Sequence, residues 1–365
     1  MTAGLYVHVP FCLTRCGYCD FNAYAGLGHL ADRYLEALRC EAALVAEEWE
    51  GESFASVFLG GGTPSTLDAP QLASILAHLR RRFAVTFDAE ITIEANPDTV
   101  DEPKLAVLLE AGFTRLSMGA QSFDEGVLLA LERVHSPGSV RRAFTAARSG
   151  GYDNVNLDLI YGANGETLQS WRRTLEETVE LGPDHVSAYA LTIEPATPLG
   201  RAVAANRIPS PDPDLQADMF ALACELLGAA GYVHYEISNW AKPGRECVHN
   251  LGYWESRPYL GLGAGAHSFR DDRRWWNLRP PQQYLDEVEA WRRPIGGEEC
   301  LTEDERRLEL VSLGLRTRRG LDVAAIDLDR AEPYLEEGLL VRSNGHVVLT
   351  EHGMLLANEV ALALS

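Results

Sequence analysis

The chain has no run of about 18 apolar residues, the shortest stretch that crosses a bilayer as a helix, so no membrane span is expected. Its first residues, Met-Thr-Ala-Gly-Leu-Tyr, lack the basic segment and apolar core of a secretory leader. Basic residues are scarce: 32 Lys and Arg stand against 53 Asp and Glu, a net charge of −21. Phosphate-backbone binding needs clustered Lys and Arg, so nucleic acid is not an expected partner. A neutral, basic or small-molecule ligand is. Cysteine is also sparse. Of the seven, Cys40, Cys224, Cys247 and Cys300 are scattered. That is no disulfide framework, and it fits a reducing, cytoplasmic setting.

The remaining three cysteines are concentrated: Cys12-Leu-Thr-Arg-Cys16-Gly-Tyr-Cys19, spaced C-x3-C-x2-C. A short loop of this spacing points three thiolates at one inorganic centre. A complete Fe–S ligand set normally has four thiolates. Here Asp20 and Phe21 follow, so one iron would keep an open coordination position, as a catalytic cluster needs. Zinc held by three cysteines and a histidine, with His8 just upstream, is the competing reading.

At 365 residues and 46% hydrophobic content, the chain can build one large domain and a smaller one. Apolar strand-like runs at Leu5–Val9, Ser56–Leu59, Glu90–Glu94, Thr114–Met118, Asn154–Ile160 and His185–Leu191 alternate with helical patterns. The patterns cover Asp32–Trp49, the helix begun at Asp68-Ala-Pro70, Glu102–Glu110, Ser139–Ser149 and Glu166–Glu180. Gly112, Gly150-Gly151 and Gly182 stand where helices stop. Such alternation predicts an α/β fold with a parallel sheet. Right-handed crossovers coil it into a partial (β/α)6 barrel, with functional loops at the strands' C-terminal ends. Residues 1–240 are expected to form it. Pro195–Pro213 reads as an irregular excursion, and residues 241–280, rich in Gly and aromatics with little helical periodicity, as a ligand-binding segment. Residues 281–365 are expected to form a C-terminal helical, winged-helix-like domain, with Asn344-Gly345 between apolar runs as a hairpin turn.

Every further motif falls at a strand end. Gly60-Gly-Gly-Thr-Pro-Ser65 offers close backbone approach and exposed N–H groups. Glu94 in Glu-Ala-Asn-Pro could accept from ribose hydroxyls or an ammonium. Gln121 offers a donor and an acceptor, and Arg133 a carboxylate partner. Asp158 lies inside an apolar strand, where a buried carboxylate needs a partner. His249-Asn-Leu-Gly-Tyr-Trp254 puts an imidazole beside flat apolar side chains, which suits a haem axial ligand; Cys247 is its rival.

Pro10-Phe-Cys12 through Cys19-Asp-Phe21 resembles the radical S-adenosylmethionine (SAM) superfamily, and within it the relatives of oxygen-independent coproporphyrinogen dehydrogenase. The resemblance implies a [4Fe–4S] cluster on Cys12, Cys16 and Cys19, with SAM chelating the open iron. It assigns Gly61, Gly62, Thr63 and Glu94 to SAM, with Tyr6 as an aromatic beside it. Tyr18, Gln121, Arg133 and Asp158 fall where these relatives contact a second SAM. One departure is Tyr161-Gly-Ala-Asn-Gly165, where the relatives usually have Tyr-Gly-Leu-Pro-Gly.

Three features resemble the haem-chaperone branch. His-Asn-x-x-Tyr-Trp is its mark; the dehydrogenases usually continue C-x3-C-x2-C-x-C, where this chain has Phe21; and they carry a longer arm before the cluster loop. The resemblance therefore implies a protein that binds [4Fe–4S], SAM and haem, with His249 as haem contact. It would pass haem to acceptor haemoproteins, for example at the cytoplasmic membrane face, and would need an electron donor if redox-active. Whether it is an enzyme is open. The alternative is oxidative decarboxylation of coproporphyrinogen III propionates.

Overall fold

The computed structural model describes residues 2–365. Six parallel strands carry the fold: β1 (Ala3–Val9), β2 (Ser53–Gly61), β3 (Ala84–Ala95), β4 (Arg115–Gln121), β5 (Val155–Tyr161) and β6 (His185–Ala190). They pair in sequence order, each parallel to the next. Helices Ala31–Val45, Ala69–Arg82, Glu102–Ala111, Pro137–Ser149 and Leu168–Leu181 connect them. The strands are buried on both faces, as a helix-covered parallel sheet requires; Leu5, Val7, Ile91, Ile93, Leu157 and Leu159 have no exposed surface.

Local signals fix the helix ends. Asp68 caps Ala69–Arg82 in a capping box with Gln71. Gly112 (φ 102°) and Gly182 (φ 68°) end their helices in the left-handed region that glycine enters without a Cβ penalty. Glu166 is not helical. The helix begins at Leu168, and Glu166 instead accepts from the amides of Gly162 (2.7 Å) and Ala163 (3.1 Å).

Two stretches hold more regular secondary structure than their lack of periodicity suggests. Within the Pro-rich excursion, Thr197 caps a helix over Pro198–Ala204. Residues 241–280 contain a helix (Val248–Trp254) and strands Tyr259–Leu262, His267–Arg270 and Arg273–Asn277. Tyr259–Leu262 lies parallel to β1 on the side opposite β2. The sheet thereby reaches twelve strands, with antiparallel additions at both ends. Glu41, on Ala31–Val45, holds this extension in place: it accepts from Gly263 N (2.8 Å) and Tyr284 OH (2.7 Å). Burial pushes its carboxyl pKa up to about 7.

The C-terminal residues form helices Glu303–Arg316 and Leu328–Glu336, the hairpin Leu340–Ser343/His346–Leu349, and a closing helix Ala357–Leu364. Asn344 (φ 49°) and Gly345 (φ 79°) make the expected two-residue turn. Among the described residues no helix is long and apolar enough to cross a membrane.

Candidate functional site

The cysteine loop leaves the C-terminal end of β1. It is pinned at its base, where Phe11–Cys12 pairs with Tyr24–Ala25. The three thiols are free and half-buried. All three line one cavity of about 500 Å³ at the strands' C-terminal ends. Cys12 Sγ lies 3.4 Å from Thr63 Oγ1, and Arg133 Nη1 points at Cys16 Sγ from 3.6 Å. Burial raises the Cys12 and Cys19 thiols above their ordinary pKa, a cost that ligation of a cation would offset. His8 is no fourth ligand, because its Nε2 bonds Asn22 O (2.9 Å) and its Nδ1 bonds Tyr6 OH (3.0 Å). Three thiols without an imidazole fit a cubane cluster with one open iron better than zinc.

The glycine run packs the loop onto β2. Gly62 N donates to Val9 O and Thr63 N to Phe11 O; a Cβ on Gly62 would come within 2.7 Å of Phe11 O. Gly61 (φ 111°) lies against the His8 ring and donates its amide to Glu94 Oε2 at 3.1 Å. Gly62 and Thr63 line the cavity, whereas Gly61 acts through Glu94.

Glu94, Gln121, Arg133, Asp158 and Tyr18 line the same cavity. Burial, and then the nearby Asp158 charge, push the Glu94 carboxyl up to about 8. Asp158 is raised by burial against the hydrogen bonds of Asn156 Nδ2 (2.9 Å) and Ser117 Oγ (3.0 Å). Two desolvated carboxylates facing one cavity favour a cationic occupant, and SAM carries a sulfonium and an ammonium. Gln121 sits at φ 63°, just after the β4–β5 pairing shifts register; such strain is characteristic of functional sites. Arg133 braces the loop, donating to Gly119 O at 3.1 Å as well as toward Cys16. Tyr6 does not reach this cavity. It lines a smaller chamber of about 180 Å³ inside the barrel, which shares Glu94, Asp158, Ser117 and Tyr189 with the larger one.

His249 departs from expectation. It lies on the helix Val248–Trp254 and is 3% exposed. Nδ1 bonds Ser56 Oγ (2.8 Å), Nε2 bonds Tyr253 OH (2.9 Å), and the ring stacks on Phe58. Burial lowers its pKa to about 3. Both nitrogens are engaged and the ring forms part of the wall of the smaller chamber, so ligation of haem iron by His249 would have to break one of these bonds. Cys247 is equally buried, with Sγ 3.5 Å from Glu90 Oε1. Sequence reasoning also missed Arg115, 2% exposed, 3.9 Å from Glu90 and with an unpartnered Nε. An arginine inside the apolar strand Thr114–Met118 was the signal available.

A partial parallel barrel whose strand ends hold a three-thiol loop beside a carboxylate-lined cavity is the architecture of radical SAM proteins. The Radical SAM superfamily model matches residues 6–178, and the HemN C-terminal domain model matches residues 301–356. The chain belongs to the heme chaperone HemW family. It is 44% identical to the heme chaperone HemW of Mycobacterium tuberculosis, over 99% of this chain and 94% of that one. With the Escherichia coli heme chaperone HemW it shares 37% identity, over 98% and 96%. Among solved structures, the Escherichia coli coproporphyrinogen III oxidase (HemN), described as a radical SAM enzyme, superposes with a TM-score of 0.87. That match is 28% identical and covers 99% of this chain and 89% of the other.

Proposed function

We propose that the protein is a haem chaperone that binds haem and passes it to acceptor haemoproteins, such as respiratory haemoproteins at the cytoplasmic face of the membrane. The observation that carries this reading is the 44% identity with a heme chaperone over essentially the whole length of both chains. Phe21 supports it. The side chain is 63% exposed on the cavity rim, where a coproporphyrinogen dehydrogenase would carry a further cysteine.

Cys12, Cys16 and Cys19 would hold a [4Fe–4S] cluster, and together with SAM it supplies one-electron chemistry when bound. Thr63 and Arg133 set the polarity around the thiolates. Glu94 and Asp158 take up the positive charge of SAM, and Gln121 offers a donor and an acceptor beside it. The fold match to coproporphyrinogen III oxidase keeps one rival reading, radical decarboxylation of coproporphyrinogen III.

One experiment separates the two. The cluster is reconstituted anaerobically, SAM and a reductant are added, and haem or coproporphyrinogen III is offered. The expected result is stoichiometric haem binding, transfer to an apo-haemoprotein, and unchanged porphyrinogen. Porphyrinogen turnover without haem transfer would overturn the proposal.

A further inference from the structure

Arg115 opens β4 and lies inside the barrel, 2% exposed. Its Nε has no hydrogen-bond partner, and the Glu90 carboxylate beside it stays 3.9 Å away, beyond hydrogen-bond reach. Glu90 is turned to other donors: its Oε1 accepts from Cys247 Sγ (3.5 Å) and from the His249 amide (3.3 Å). A guanidinium stays charged at every physiological pH, and a buried charge without hydrogen bonds is costly to fold. This one lines the chamber of about 180 Å³ inside the barrel.

The chamber combines two kinds of wall. Phe58, His249 and Tyr253 supply aromatic faces, with the Phe58 and His249 rings stacked 5.1 Å apart. Arg115 and Asn250 supply N–H donors. Asn250 follows His249 in the motif His-Asn-x-x-Tyr-Trp, whose imidazole is already held by Ser56 and Tyr253. The two carboxyls that line the chamber do not oppose an anion strongly. Asp158 accepts from Asn156 and Ser117, and burial pushes Glu94 up to about 8, so Glu94 is protonated at neutral pH.

We propose that this chamber is a subsite for a short alkyl carboxylate, with the carboxylate on Arg115 and Asn250 and the alkyl arm along the aromatic wall. Paired N–H groups make arginine the matching receptor for a planar carboxylate. Water takes roughly 30 Å³ in the liquid, so the chamber has room for the three carbons and two oxygens of propionate. Two sources carry this chemistry: a free small acid, or a propionate arm of a tetrapyrrole held in the larger cavity. The second source rests on the proposed haem reading. An arm can enter because Glu94, Ser117, Asp158 and Tyr189 line both spaces.

The test uses the full chain without SAM, with propionate as probe in an NMR titration. Millimolar binding is expected of so small a ligand. Propionamide, its neutral isostere, should bind about ten-fold more weakly or worse. That comparison needs no variant. Arg115→Met should lose propionate, and Asn250→Ala, at a half-buried position, should weaken it several-fold; a thermal melt of each reports its folding. In the second arm haem is compared with its dimethyl ester. A preference for the free acid form that Arg115→Met lacks assigns the site to the tetrapyrrole arm. Equal affinities for haem and ester, with propionate bound, assign it to a free acid. No propionate binding, or equal binding of propionate and propionamide, overturns the proposal and leaves water as the occupant. Haem that fails to bind at all strikes the chaperone reading instead, and the propionate arm still decides the chamber.

Discussion

Glu94 on β3 and Asp158 on β5 face one cavity from either side of β4, and the negative charge of Asp158 adds to burial in pushing the Glu94 carboxyl up to about 8. A cation bound between them reverses that balance. SAM binding at pH 7 should therefore release close to one proton. Calorimetry in buffers of different ionisation enthalpy reads it directly. Glu94→Gln should abolish the release and weaken SAM about ten- to a hundred-fold, the worth of a charge-assisted hydrogen bond. Proton release that persists in this variant would assign the titration elsewhere.

The cysteine loop is half-exposed and its thiols contribute little to the core. Cys12→Ala, Cys16→Ala and Cys19→Ala should each lose the cluster's visible absorption after reconstitution. Stability of the cluster-free chain should change by less than about 1 kcal/mol. A thermal melt beside the spectrum checks both, and a variant that unfolds outright contradicts this account.

His249 is held on both ring nitrogens, by Ser56 and Tyr253, and stacks on Phe58. Removing it strands Ser56 Oγ and Tyr253 OH and opens a void beside Phe58. His249→Ala should cost about 2–4 kcal/mol. Haem affinity, measured below the melting range, should stay within two-fold of the parent. Lost haem binding at undiminished stability would restore His249 as a ligand.

Glu41 and Glu166 are pushed up to about 7, and Glu94 to about 8, chiefly by burial. Unfolded, each ionises near 4.5. Between these values the folded chain binds more protons, so stability falls as pH rises. Each group contributes at most about 1.4 kcal/mol per pH unit. The cluster-free chain should melt lower at pH 9 than at pH 6, and Glu94→Gln should flatten the slope. A melting temperature that rises over this range would be the contrary outcome.

The barrel was readable because its signals are local. Asp68 with Gln71, Gly112, Gly182 and Asn344-Gly345 each decide a helix end or turn within a few residues. Cys12, Cys16 and Cys19 share one loop, and Glu94 and Asp158 stand at or in strands whose C-terminal ends converge. What escaped depends on distant partners. Tyr259–Leu262 is four residues long and joins the barrel by pairing with β1, some 250 positions earlier. The helix Val248–Trp254 spans two turns, too few for a period to show, so nothing local announced that His249 is enclosed. Arg115 is a single charge within an apolar strand, and only the assembled sheet shows that it lines the chamber inside the barrel.

That pairing also bears on synthesis. β1 emerges from the ribosome first, yet it is an edge strand until residues 259–262 arrive beside it. Phe11 and Cys12 continue from this strand, and the Gly263 backbone bonds the helix behind it through Glu41. A nascent chain shorter than about 260 residues therefore presents the three thiols on an unfinished scaffold. The base of the cluster loop is thus completed by residues some 250 positions further along the chain, so the thiols' scaffold depends on one of the longest-range pairings in the sheet.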